Sequence, residues 1–200
     1  FWDKQALAES PELDVIVRKE GEETMLELAE RVEKGKDYSD VLGTTVRKDD
    51  GEIVKNEDRP YIENLDELPF PAHHLWPLKL LQKHGSVVFP ILASRGCVFW
   101  CDFCSTVRMF GRGYRWRSAE NVVDEMEMIH NKYGIDQFTF YDDAFSVNRE
   151  RVIKICEELH ARKLDLIWDC GTRVDMVDRE LLETMHNAGC IAVWLGVESG

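Results

Sequence analysis

The run Val87-Val88-Phe89-Pro90-Ile91-Leu92-Ala93-Ser94-Arg95-Gly96-Cys97-Val98-Phe99-Trp100-Cys101-Asp102-Phe103-Cys104 decides the fold. Its first half is a short apolar segment of the kind that forms a buried strand. Its second half places three cysteines at C-x3-C-x2-C spacing on the loop that follows. Three thiolates on one short loop hold three corners of a cubic iron–sulfur cluster, which normally takes four. Without a fourth thiolate, one iron keeps an open position where chemistry can occur.

Downstream of this loop, strand and helix signals alternate. Ser118 caps a helix carrying Val122, Met126, Ile129 and Tyr133, and Gly134 stops it. Phe138–Tyr141 reads as a strand ending in Asp142-Asp143. Asn148 caps a helix with Val152, Ile155, Cys156 and Leu159. Leu166-Ile167-Trp168 opens a strand that leads to Gly171-Thr172-Arg173. Leu181, Leu182, Met185 and Ala188 mark a further helix before Gly189, and Ile191–Val197 is a fourth strand ending in Glu198. Such alternation implies parallel pairing through right-handed crossovers. Cys97–Cys104, Asp142-Asp143, Thr172-Arg173 and Glu198 then all follow C-terminal strand ends, where a β/α barrel builds its active site.

Upstream the character differs. Within residues 1–58, Leu13–Val17 reads as a strand, Glu22–Val32 as a helix, and Asp49-Asp50-Gly51 as a hairpin turn between two strands. This resembles the tail end of an α/β domain. Residues 59–85 carry Pro60, Pro69, Pro71 and Pro77 and read as an ordered linker, with His73 and His74 as loop residues. Residues 86–200 form the cysteine-loop domain, an α/β partial barrel cut after four strands.

Composition narrows the function classes. The net charge is −13, from 25 basic and 38 acidic side chains. That sign opposes phosphate binding, so no DNA partner is expected and RNA is disfavoured. No apolar run approaches the roughly 18 residues of a membrane span. With no secretory pattern, a cytoplasmic protein is expected. The chain starts at Phe1 rather than Met and reads as an internal piece. All six cysteines lie from Cys97 onward, and Cys156, Cys170 and Cys190 read as buried free thiols. Structural zinc would want a second ligand pair, and a dithiol redox site would leave Cys97 surplus.

The C-x3-C-x2-C loop after a first strand, with Phe103 before its last cysteine, resembles the radical S-adenosylmethionine (SAM) superfamily over residues 86–200. The resemblance implies a four-iron four-sulfur cluster on Cys97, Cys101 and Cys104. It also implies SAM at the open iron, reductive cleavage to a 5′-deoxyadenosyl radical, and an external one-electron reductant such as flavodoxin or ferredoxin. Phe103 would pack near the adenine. Asp142 and Asp143 would meet the SAM amino group, although each reads equally as a turn or N-cap residue. Arg173 would pair with the SAM carboxylate, or form a salt bridge at the rim. Glu198 would bond the ribose hydroxyls, or make a polar contact at the barrel end.

Five further stretches deepen the resemblance: Leu68-Pro69-Phe70-Pro71, Ser94-Arg95-Gly96-Cys97, Tyr114–Ser118, Asp142-Asp143-Ala144-Phe145 and Gly196–Gly200. Together they are similar to the cobalamin-binding-domain-containing branch, which holds methyltransferases and the anaerobic magnesium-protoporphyrin cyclase. Cobalamin is thereby implied, with residues 1–58 ending its domain and a small molecule as substrate. The D-x-H-x-x-G cobalamin-ligand motif would lie upstream of this stretch. Arg108, Arg112, Arg115 and Arg117, interleaved with Phe110, Tyr114 and Trp116, read as a solvated loop with aromatic anchors or as a face for an anionic substrate or RNA. The stretch resembles one in tRNA methylthiotransferases, which leaves such an enzyme as the alternative. The lack of cysteine in residues 1–96 weighs against it. A non-catalytic iron–sulfur or zinc module is the alternative of another class.

Overall fold

The computed structural model describes residues 2–83, 85, 87–111 and 113–197, except the side chain of Lys79. The chain divides into two compact units, Phe1–Ile62 and Glu63–Gly200.

The first unit contains α1 (Asp3–Glu9), β1 (Val15–Val17), α2 (Glu22–Glu33), β2 (Thr44–Arg47) and β3 (Ile53–Lys55). Its three strands pair antiparallel in the order β1-β2-β3. The Asp49-Asp50-Gly51 turn joins β2 to β3, with the Glu52 amide donating to Asp50 Oδ1 at 2.9 Å and Gly51 at a φ of 87°. Helix α1 has no capping side chain, since Trp2 occupies its N-cap, and the sequence gives no start signal there.

Asp3 is the polar centre of this unit. Its carboxylate accepts from Thr45 Oγ1 at 2.7 Å and lies 3.3 Å from Lys55 Nζ and 3.9 Å from Arg18 Nε. Burial alone would push this carboxyl up, but the bonds from Thr45 and Lys55 outweigh it and hold it at about 2. Arg18 extends the network to Thr45 Oγ1 at 2.8 Å, Asn56 O at 2.7 Å and Asp58 Oδ1 at 2.7 Å.

The second unit is built on a parallel four-stranded sheet, in the order β4 (Val88–Ile91), β7 (Gln137–Phe140), β8 (Ile167–Thr172), β9 (Cys190–Leu195). Helices α5 (Ala119–Tyr133), α6 (Arg149–Ala161) and α7 (Arg179–Asn187) make the three crossovers. Because the strands follow one another across the sheet, right-handed crossovers place all three helices on one face. Side-chain alternation then separates two surfaces. Phe89, Ile91, Phe138, Phe140, Trp168 and Cys170 are buried beneath helix residues such as Val122, Met126, Ile155, Leu159, Leu181 and Met185. The intervening strand residues face away from the helices.

Local chemistry fixes the element ends. The Ser118 hydroxyl accepts from the Asn121 amide, Asn148 from Arg151, and Asp178 from Leu181. Gly134 takes the left-handed conformation after α5. Gly189 has a φ of 94°, and a Cβ there would lie 2.0 Å from Leu166 O, so no other residue fits this turn into β9. Cys156, Cys170 and Cys190 are buried free thiols in the core, and burial pushes the Cys156 thiol up to about 12.

Residues 63–83 belong to this unit as extended chain, two short 3-10 turns (Leu65–Glu67 and His73–Leu75) and α3 (Leu78–Lys83). The reading of His73 as a loop residue needs correction, whereas His74 is exposed. His73 is buried edge-on to Phe89, with Nε2 2.8 Å from Glu125 Oε1. Glu125 in turn accepts from Arg117, whose guanidinium lies over Phe70 at 5.4 Å. Sequence spacing hides this because His73 and Glu125 are 52 positions apart.

The Asp3 carboxyl sits below its ordinary value of 3.8, so its contribution is complete above that pH and lost as pH falls toward about 2. Asp3→Asn should lower unfolding free energy by about 2 kcal/mol at pH 6. The gap from wild type should close between pH 3.8 and about 2 in denaturant titrations followed by circular dichroism.

Candidate cluster loop and strand-end site

The cysteine loop is an excursion closed at its base. β5 (Ser94–Arg95), just beyond β4, pairs antiparallel with β6 (Arg115–Trp116), so the chain leaves and re-enters the same spot. Gly96 makes the exit at a φ of 84°, and a Cβ there would lie 2.1 Å from Gly113 O. Only glycine lets the two sides of the loop approach so closely.

Cys97, Cys101 and Cys104 are free and half-buried on this excursion. The Cys104 amide donates to Cys101 O at 3.0 Å, forming a turn that carries both thiols. Burial pushes the Cys97 thiol up, and nearby Asp143, Cys104 and Cys101 add to the shift. Among the described residues, no three His, Cys, Asp or Glu side chains gather closely enough to share one metal ion. A cubic cluster asks for a different arrangement, with each thiolate on its own iron.

Two strand ends reach this loop. From β8, the Arg173 guanidinium stacks over the Phe99 ring at 3.9 Å, with Nη1 4.0 Å from Cys101 Sγ. Its other edge forms a two-pronged bond with Asp175, at 2.9 and 2.8 Å. Arg173 is thus both a salt-bridge partner and a positive charge beside Cys101. From β7, Asp143 Oδ1 accepts from Thr106 Oγ1 at 2.7 Å, at the start of α4 (Thr106–Phe110). Asp143 is exposed, and Phe103 is 72% exposed on the loop itself.

Asp142 behaves differently, because its carboxylate is engaged within the fold. Its side chain is fully buried, so the little exposure of this residue lies in its backbone. The carboxylate accepts from the Ala93 amide at 2.8 Å, from the Ser94 hydroxyl, and from Arg151 Nη2 at 3.2 Å. Burial pushes this carboxyl up, while Arg151, Ser94 and the Ala93 amide oppose that shift. Arg151 is itself buried and donates to Ala93 O at 2.6 Å and Phe145 O at 3.0 Å. This cluster joins Ala93 and Ser94, between the end of β4 and Cys97, to the end of β7 and to α6. The sequence offered no sign of Arg151 or Ser94 in this role.

The remaining expectations fall as follows. Glu198 lies outside the described residues, as does Arg112. Arg117 is committed to Glu125, to Asn121 Oδ1 at 2.6 Å and to Leu92 O at 3.1 Å. Tyr114 and Trp116 stack on each other at 5.5 Å. The basic-aromatic stretch therefore spends Arg117 on the fold. Removing one member of a buried pair strands the other. Arg151→Met should cost about 3–5 kcal/mol of unfolding free energy. Adding Asp142→Asn, which removes the stranded charge but keeps an acceptor for the Ala93 amide and the Ser94 hydroxyl, should recover part of it in denaturant titrations.

Comparison with known proteins bears on what this arrangement is. The family model described as the Radical SAM superfamily matches residues 91–200. An uncharacterized methyltransferase of Pyrococcus horikoshii is 35% identical over 199 residues, covering 100% of this chain and 43% of that protein. The anaerobic magnesium-protoporphyrin IX monomethyl ester cyclase of Rubrivivax gelatinosus is 36% identical over 206 residues, covering 100% and 37%. Among solved structures, the cobalamin-dependent SAM radical enzyme OxsB with aqua-cobalamin and SAM bound aligns at a TM-score of 0.78 and 25% identity. That alignment covers 98% of this chain and 29% of OxsB. The chain thus spans less than half the length of each of these relatives. With the three thiols on one loop at the ends of parallel strands, these matches carry one conclusion: the chain belongs to the radical SAM superfamily.

Proposed function

We propose that the protein containing this chain is a radical SAM enzyme of the cobalamin-dependent kind, transferring a methyl group or performing a related radical reaction on a small molecule. The observation that carries this reading is the set of Cys97, Cys101 and Cys104 with Arg173 beside Cys101. The donor set fits an iron–sulfur cluster: three thiols within eight residues, half-buried, with a cation at hand to offset thiolate charge. Such a cluster, once bound, supplies the electron that cleaves SAM to 5′-deoxyadenosyl radical and methionine.

The residues of this chain hold and orient. Asp143 has an oxygen without a partner among the described residues, and it accepts the SAM ammonium together with backbone carbonyls at the strand ends. Arg173 offers its remaining N–H groups to the SAM carboxylate. Phe103, largely exposed, covers the adenine. Glu198 takes the ribose hydroxyls. Residues 1–58 form the end of a cobalamin-binding domain. The alignment of nearly the whole chain with OxsB supports that assignment. A flavodoxin or ferredoxin delivers the electron, and the reducing cytoplasm is the compartment for this chemistry. No described helix is long and apolar enough to cross a membrane.

Anaerobic reconstitution of the full-length protein tests the reading. Wild type should bind about four irons per chain and form 5′-deoxyadenosine from SAM under dithionite. Replacing any of Cys97, Cys101 or Cys104 by Ala should lower that product at least about 100-fold, as loss of an essential cofactor ligand would. Bound zinc without iron, or a cluster with no SAM cleavage, would refute it.

A further inference from the structure

The sheet face opposite the helices carries a polar constellation that the cluster loop does not use. Pro90, Thr139, Asp169 and Ala192 lie in one row across the four strands. Asp169 Oδ1 accepts from Thr139 Oγ1 at 2.6 Å and from the Trp194 indole Nε1 at 3.2 Å. Both bonds end on the same oxygen, so Oδ2 has no partner among the described residues. Around it lies an open cavity of about 520 Å³, which Tyr141, Gly171 and Trp194 also line. That size suits a small organic ligand.

Among the described residues, the charge on this face has no cationic partner. Among the described residues, the positions facing away from the helices on the four strands hold no lysine or arginine. Arg173, two residues beyond Gly171, is already paired with Asp175. Asp169 is half-buried, and a cation seated beside its free oxygen would gain direct charge pairing there. Its neighbours point to the kind of cation. Trp194 and Tyr141 are 66% and 68% exposed, so two aromatic rings border the cavity beside the carboxylate. Aromatic faces attract organic ammonium groups, and an adjoining carboxylate adds direct charge pairing. Gly171, in register with Trp194, leaves the space between them open.

We propose that Asp169, with Trp194 and Tyr141, forms a binding subsite for an organic ammonium group, and that the substrate of this protein carries a cationic nitrogen. Thr139 and Trp194 hold Oδ1 and so aim Oδ2 at the ligand. The identification of that ligand as the substrate rests on the proposed radical SAM function, whereas the cation subsite itself does not.

Indole-15N-labelled full-length protein, titrated without SAM, tests the subsite with choline and its uncharged isostere 3,3-dimethylbutan-1-ol. The Trp194 Nε1–H resonance, assigned with Trp194→Phe, should move saturably with choline and stay in place with the alcohol. In Asp169→Asn, which keeps an acceptor for the indole, the apparent choline affinity should fall at least about tenfold. Unmoved resonances of the other tryptophans would report an intact fold. Equal shifts with both probes, no shift with either, or an unaltered choline titration in Asp169→Asn would overturn the proposal. Formation of 5′-deoxyadenosine by wild type is read separately, so failure of the radical SAM reading leaves its own signature.

Discussion

The buried pair of Asp142 and Arg151 is the interaction on which the site depends. The cysteine loop has little to hold it in place by itself. Val98, Trp100 and Phe103 are 48%, 58% and 72% exposed, so the loop buries little apolar surface. Its position comes from its ends. Asp142 grips the Ala93 amide and the Ser94 hydroxyl, and Arg151 grips Ala93 O, all just ahead of Cys97. The same two side chains tie that point to the end of β7 and to the first turn of α6. A buried ion pair is rarely a net source of stability against an apolar substitute. Its value here is geometric, because it fixes the strand end from which three thiolates are presented.

From that fixed point the loop is fastened at three further places. The β5–β6 pairing closes its base, and Gly96 permits the close approach to Gly113. Thr106 bonds Asp143, and Arg173 lies across Phe99 beside Cys101. The ends of β4, β7 and β8 therefore all contribute to one small region. A second network, His73–Glu125–Arg117, ties residues before β4 to α5 in the same manner. In both cases polar groups lacking water are satisfied by one another.

Much of this was legible in the sequence where the signal is local. Caps at Ser118 and Asn148 and stops at Gly134 and Gly189 fall where the residues announce them, because capping bonds span only three or four positions. The parallel sheet follows from the strand–helix alternation, and the C-x3-C-x2-C spacing carries the family. Long-range polar contacts were not legible. Asp142 meets Ser94 across 48 positions and Arg151 across nine, and nothing about a turn aspartate says that it will be buried. Helix α1 lacks a capping residue and so gave no start signal. The antiparallel pairing of β1 with β2, despite the helix between them, depends on packing within the first unit and leaves no pattern in the strands themselves.

A loop with three thiols, fastened at the ends of parallel strands, makes a specific demand on the cluster it would carry: one iron must differ from the others. Mössbauer spectroscopy of the 57Fe-reconstituted full-length protein, with and without SAM, reads this directly. The account predicts that SAM shifts a single iron subsite, about a quarter of the absorption area, toward a higher coordination number. A spectrum in which SAM changes no iron, or in which all irons respond alike, would contradict it.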